Sequence, residues 1–359
     1  MFCALNHSFI SLLLNAITVT LAVAFVFIKW YRKSCRILSM EYIVLFIAFA
    51  FIYFIGGISS DSFTISRLLS MTCLLGYYLF SINYYDDVYT LIQDINTALF
   101  AIIVLSTILY LIGVPEAFYR ENASLLTFKG AATNRNSYAE ITLFFLVTNF
   151  CIYSKKRNIV RLVLCHALAI ITTVMTRSAT ATICITILTV LLLLILNKFL
   201  SSHFPFAAFL VFYVFAFCAI MAYQGAEFNG LEWILDAFNK NSTLTGRTNL
   251  WAAAFDAISE KLLFGYGFDS EVLLNYGAKY TDPHNSILYI LLTQGIAGAS
   301  VMVLVIFSIM LKSRSKKLKS EYLFCAMLAF VVVWMIRGLV ESGLSYTHFA
   351  FWVSLIILE

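Results

Sequence analysis

Charge is what this sequence has least of. Asp, Glu, Lys and Arg make up 12% of the 359 residues, while 62% are apolar and 16% aromatic. A soluble globule carries about 25% charged residues, so this chain could not clothe its own surface for water. Paired cysteines are missing too: Cys3, Cys35, Cys73, Cys151, Cys165, Cys184, Cys218 and Cys325 all lie in or beside apolar segments. That excludes a disulfide-stapled ectodomain, and without a CxxC or a Cys/His grouping no metal site is indicated. A DxD-type aspartate pair, HExxH, GxSxG and a P-loop are equally absent. Chemistry is expected to run on arginine, histidine and carboxylate, with no cofactor, no metal and no nucleic-acid partner.

What is present is apolar sequence in membrane-length runs. Crossing ~30 Å of hydrocarbon takes about 20 residues of helix. Candidate spans lie near residues 8–28, 37–57, 64–82, 95–113, 137–153, 158–175, 179–197, 204–222, 284–311, 321–340 and 345–358. The first lacks a basic n-region and a small-residue cleavage site, so it is expected to be retained. With eleven spans alternating, four basic clusters fall on one side: Lys29 to Arg36, Lys155 to Arg161, Lys198, and Lys312 to Lys319. Positive charge accumulates in cytoplasmic loops, which places the N-terminus outside and the C-terminus inside. The expected division is 1–222, about eight helices; 223–283, an outer loop with a helical cap; and 284–359, about three helices. Connections longer than about 15 residues are usually functional or disordered, which draws attention to that loop and to residues 114–136.

Arg247 is the most informative single residue. At 100° per residue, Leu250, Trp251, Ala254, Phe255, Ile258 and Leu262 form one stripe, with Asn249, Asp256 and Glu260 opposite. Arg247 lies on the apolar stripe, in the first turn, where the helix dipole disfavours a cation. A guanidinium so placed calls for an anion: a substrate phosphate, or an internal acid such as Asp282 or Glu341, unless it snorkels to water. His284 follows Pro283 at the opening of the ninth span, where the dipole favours a neutral imidazole able to accept a proton; an interfacial histidine is the plainer reading. Gly295, eleven positions on, suits close helix packing that shapes the cavity below His284. Arg177 stands at the outer mouth between the sixth and seventh spans, where a charge needs a partner or a polar cavity. Arg135 and Asn136, before the fifth span, are a more solvated version of it. Arg337 and Glu341 stack four apart near the outer end of the tenth span, either as an internal ion pair or as part of the site.

Gly246-Arg247-Thr248-Asn249-Leu250-Trp251, Leu263-Phe264-Gly265-Tyr266-Gly267, and His284-Asn285-Ser286 with Leu291 and Gln294-Gly295-Ile296-Ala297-Gly298 follow one another in that order. In order and spacing they resemble the signature of the O-antigen ligase and polymerase superfamily of bacterial envelope glycosyltransferases. Arg177-Ser178 and Asn134 to Asn136 resemble two weaker upstream blocks, so the likeness covers about residues 130–300.

The resemblance implies an all-α polytopic membrane protein, GT-C-like, of about eleven to twelve transmembrane helices with one large periplasmic loop containing short helices. It implies a multi-pass protein of the bacterial inner membrane whose active site faces the periplasm. The donor implied is an undecaprenyl-diphosphate-linked O-antigen, moved by metal-independent, inverting transfer. Ligases hand the glycan to lipid A-core; polymerases join repeat units, and a chain-length regulator would be a polymerase's partner. By the same likeness His284, Arg247 and Arg177 are the candidate catalytic residues. Arg135, Asn136, Trp251, Asn285, Gly295, Arg337 and Glu341 are the candidate substrate-binding residues. Family polymerases are described by arginines with glycine after ten or fifteen intervening residues. Those positions after Arg247 hold Ile258 and Leu263, which favours the ligase reading. A lipid-linked sugar transporter is the rival from another class. It predicts helices broken by Gly or Pro at mid-membrane, and only three prolines are present.

Overall fold

The structure, a computed structural model, describes residues 9–32, 40–60, 76, 80, 81, 83–85, 87–122, 125–130, 135–197, 205–222, 247–267, 271–313 and 322–342. Its helices are α1 (Phe9–Tyr31), α2 (Met40–Ser59), α3 (Val88–Ile112), α4 (Arg135–Lys156), α5 (Ile159–Met175), α6 (Ala179–Leu196), α7 (Phe206–Ala222), α8 (Arg247–Glu260), α9 (Val272–Asn275), α10 (Ser286–Ser313) and α11 (Tyr322–Gly338). By length and composition α3, α6 and Ser286–Lys312 of α10 can each cross a membrane, and shorter apolar helices accompany them. The protein is thus an all-α polytopic membrane protein. The expected third span lies largely, and the eleventh wholly, outside the described residues, as does the part of the expected cap at 223–246. One non-helical element was not expected: between α3 and α4 an antiparallel hairpin pairs β1 (Phe118–Asn122) with β2 (Leu125–Phe128).

The chain divides into two compact units. The second takes residues 84–205, 312–334 and 353–359 and is organised around α4. From Thr142 to Ile152 every residue of that helix is buried, so it is a core helix and not one that faces lipid. Its polar residues bind its neighbours, as expected where no water competes. Asn96 of α3 donates to Thr148 at 3.0 Å, and Thr173 of α5 donates to Thr142 at 2.9 Å. At one end of the unit, Lys155 pairs with Asp87, the N-cap of α3, at 3.2 Å. Backbone N–H donation by Tyr89 and the Lys155 charge hold the Asp87 carboxyl below its usual range. The acidic start of α3 therefore shares an end with the basic α4–α5 turn, as the alternating spans require.

The first unit takes residues 1–83, 206–311 and 335–352. Its main departure from the sequence expectation is in α10. A continuous helix is expected there, yet at Gly295 the backbone leaves the helix with φ 61° and ψ −161°. Residues 262–267 take up the hydrogen bonds that the break releases: Tyr266 N–H donates to the Leu292 carbonyl at 2.8 Å, and Ile296 N–H to the Leu262 carbonyl at 2.8 Å. Gly295 is indeed a point of close packing, but against the Leu262–Leu263 backbone and not against a helix; a Cβ there would strike Leu263. On its other side the same turn presses on α2, where a Cβ on Gly267 would strike Gly57. Lys261 donates to the Ser59 carbonyl at 2.7 Å, satisfying the C-terminal end of α2.

Candidate functional site

α8 begins at Arg247, and its inner face is fixed by Leu250, Trp251, Ala254, Ala257 and Ile258, all buried. The predicted stripe holds except at its edge, since Phe255 and Leu262 are exposed and the helix ends at Glu260. Trp251, completely buried, donates its indole N–H to the Pro283 carbonyl at 2.9 Å. That bond ties α8 to the segment carrying His284. Pro283 and His284 themselves lie before α10, not in its first turn. Asn285 caps the helix, accepting from Ile287 and Leu288 N–H at 3.0 and 3.1 Å, and its amide donates to the Leu339 carbonyl at 2.9 Å.

The centre of the arrangement is Glu341. Arg247 Nη2 donates to its Oε1 at 3.1 Å, and Arg247 Nη1 to the Val340 carbonyl at 2.6 Å. His284 Nδ1 stands 3.3 Å from its Oε2, and the Ser286 hydroxyl donates to its backbone carbonyl at 2.9 Å. So of the partners open to Arg247 in the sequence, Glu341 is the one taken. Asp282 instead accepts from His284 N–H at 2.7 Å and from the Ser342 hydroxyl. Of the two readings of Arg337 and Glu341, the carboxylate takes the second and joins the site, and the two do not stack on one helix. Glu341 lies beyond the end of α11, its N–H bonded to the Arg337 carbonyl at 2.9 Å, and its side chain goes to Arg247 and His284. Burial pushes the Glu341 carboxyl up, but the His284 hydrogen bond and the charges of Arg247, His284 and Arg337 outweigh it, so it sits below the usual glutamate value.

An ionised carboxylate only accepts hydrogen bonds, so the hydrogen facing Glu341 belongs to His284 Nδ1. A neutral imidazole then carries its lone pair on Nε2, the atom turned away from Glu341. Among the described residues nothing bonds to that nitrogen, and the Tyr280 ring stands edge-on to the imidazole at 6.0 Å. Two of the five guanidinium N–H donors of Arg247 are taken by described residues. The unit therefore presents a cation and an oriented nitrogen base held by one carboxylate.

Arg177, Arg135 and Asn136 belong to the second unit. Ser178 caps α6 and donates its hydroxyl to Asn136 Oδ1 at 2.8 Å, which fastens the start of α4 to the α5–α6 turn. Arg135 and Arg177 each adjoin one partner of that bond. Arg177 is exposed, and its backbone is left-handed with φ 52°; His284 is left-handed as well, at φ 49°. Side chains other than glycine rarely hold that conformation, at a cost of roughly 1–2 kcal/mol. Such strain gathers at functional positions.

Tyr280, Ser342 and Asp282 as the brace of His284 were missed by sequence reasoning. Only the last left a trace, because Asp-Pro-His is the pattern of an Asx turn two residues long. The pattern of a protein family described as O-antigen ligase matches residues 162–303. The matched stretch contains Arg177, Trp251, Arg247, His284 and Gly295, and stops short of Arg337 and Glu341. No curated protein matches the chain.

Proposed function

With residues 162–303 supporting the O-antigen ligase and polymerase superfamily as the premise, we propose that this protein is an O-antigen ligase. It transfers a glycan from undecaprenyl diphosphate to a sugar of lipid A-core at the periplasmic face of the bacterial inner membrane. The observation that carries the reading is the Glu341 bridge, which holds Arg247 and His284 on one carboxylate.

In this mechanism the spare N–H donors of Arg247 bind the diphosphate, and charge-assisted bonds stabilise it as it leaves. His284 Nε2 takes the proton of the acceptor hydroxyl as its oxygen bonds to the anomeric carbon. The bond from that carbon to the phosphate oxygen breaks, with inversion, and undecaprenyl diphosphate departs. Glu341 is a positioning residue that sets the His284 tautomer and aims Arg247. Arg177 is proposed as a further substrate-binding cation, supported by its place in the family pattern and its left-handed backbone. No metal takes part in this scheme.

The Gly295 break is a feature a transporter would share. Its released backbone groups, however, bond to residues 262–267, whereas a transporter would leave them to line a substrate path. Deletion of the gene separates the two family activities. Bare core with accumulating lipid-linked polymer is the expected lipopolysaccharide pattern; core capped with a single repeat would mean a polymerase instead.

A further inference from the structure

The second unit holds a cavity that the proposed transfer does not use. It has a volume of about 370 Å³ and is lined by Asn149, Tyr153, Lys156, Asn158, Arg161 and Leu162, with Ile152, at the basic turn between α4 and α5. A pocket of this volume is of the size that small ligands occupy. Lys156 donates to Gln93 at 3.4 Å and Arg161 to Asn96 at 2.8 Å. Among the described residues neither has a carboxylate within ion-pair distance. The α5 N-terminus, capped by Asn158, adds its dipole to the same space. Asn149 is 1% exposed, and its Oδ1 has no hydrogen-bond partner, although its amide nitrogen stands 3.3 Å from His166 Nδ1 and 3.5 Å from the Leu162 carbonyl. A buried acceptor left open calls for a donor from a ligand or water.

A second cavity, of about 340 Å³, shares Leu162 with the first and is apolar, lined by Phe150, Val163, Ala167, Leu192 and Leu196 among others. Val163 and Leu193 on its rim are more than half exposed, as side chains facing lipid are. Two unneutralised cations, an open acceptor and an adjoining apolar trough describe an amphiphile, with an anionic head, a hydroxyl donor and a hydrocarbon tail.

We propose that this is a binding site for an anionic glycerophospholipid of the phosphatidylglycerol type. Lys156 and Arg161 hold the phosphate, a head-group hydroxyl donates to Asn149 Oδ1, and one acyl chain lies in the apolar trough. An ethanolamine head would bring a third cation beside Lys156 and Arg161 and is disfavoured. Free phosphate would fill the polar cavity but leave the trough unused.

The test is native mass spectrometry of the full-length protein, released from nanodiscs of phosphatidylglycerol mixed with phosphatidylcholine or phosphatidylethanolamine. Retention of phosphatidylglycerol over both other lipids is expected. Each basic residue near a membrane surface is worth about 1 kcal/mol of anionic-lipid binding, so Lys156→Gln should lower retention about fivefold and Lys156→Gln with Arg161→Gln about 25-fold. Lys156 is exposed, so the single variant decides the matter if the double variant fails to fold. Equal retention of all three lipids, or retention unchanged by Lys156→Gln, overturns the proposal. Displacement of phosphatidylglycerol by millimolar inorganic phosphate overturns the lipid assignment in favour of a free anion. Because neither cavity is lined by a residue assigned to glycan transfer, none of these outcomes bears on that reading.

Discussion

At the scale of the residue, the site is governed by which carboxylate meets which cation. The side chain of Glu341 is 7% exposed and that of Arg247 22%, so removing the acid leaves a largely desolvated guanidinium without its partner. Glu341→Ala should lower unfolding stability on the order of 3 kcal/mol, measured in detergent by chemical denaturation. The acid dependence has a definite sign. The folded Glu341 carboxyl lies below its usual value, so the stability it contributes is fully present above roughly pH 4.3 and is lost as pH falls through the lower folded value. The stability gap between the wild type and Glu341→Gln should therefore be constant near neutrality and close on acidification below about pH 4; a gap that widens there would reverse the assignment. Arg177 offers a second case. Its left-handed backbone suits glycine, so Arg177→Gly should be more stable than Arg177→Ala by about 1 kcal/mol, while both lose transfer activity.

At the scale of the element, α8 was legible because its stripe has a helical period, and the misplaced Arg247 could be picked out against that stripe. The break in α10 was not legible. A glycine in an apolar run reads as a packing notch, and only its φ of 61° and the carbonyls of Leu262 and Leu263 reveal a helix interrupted to receive a turn. The same fact explains the glycines of Leu263 to Gly267, whose backbone passes between α2 and α10. Two glycines with positive φ separate strain from crowding. A Cβ at Gly277 meets nothing within 4 Å, whereas at Gly295 it strikes the Leu263 backbone. Gly277→Ala should cost about 1 kcal/mol; Gly295→Ala should cost several times more and abolish activity, as thermal unfolding and transfer assays would show. Comparable losses at the two positions would mean that the break is not held by that contact.

At the scale of the whole molecule, scarcity of charge and membrane-length runs made the fold class readable, and nine of the eleven expected spans coincide with described helices. The partners of the few charges were harder to read. Arg247 and Glu341 are separated by 94 residues, and no local periodicity links them. The β1–β2 hairpin escaped because its two strands are short and lie inside a segment that reads as an outer loop. The predicted set also divides: Arg247, His284, Trp251, Asn285, Gly295, Arg337 and Glu341 lie in one unit, and Arg135, Asn136 and Arg177 in the other. The central claim is that the Arg247, Glu341 and His284 constellation performs glycan transfer, and reconstitution tests it most directly. Purified protein in liposomes receives an undecaprenyl-diphosphate-linked glycan and lipid A-core, with EDTA present, and release of undecaprenyl diphosphate is followed alongside glycosylated core. The expected result is coupled formation of both products, slowed about 100-fold or more in His284→Gln, the range that loss of a general base produces, and in Arg247→Ala. Wild-type rates in both folded variants would contradict the claim.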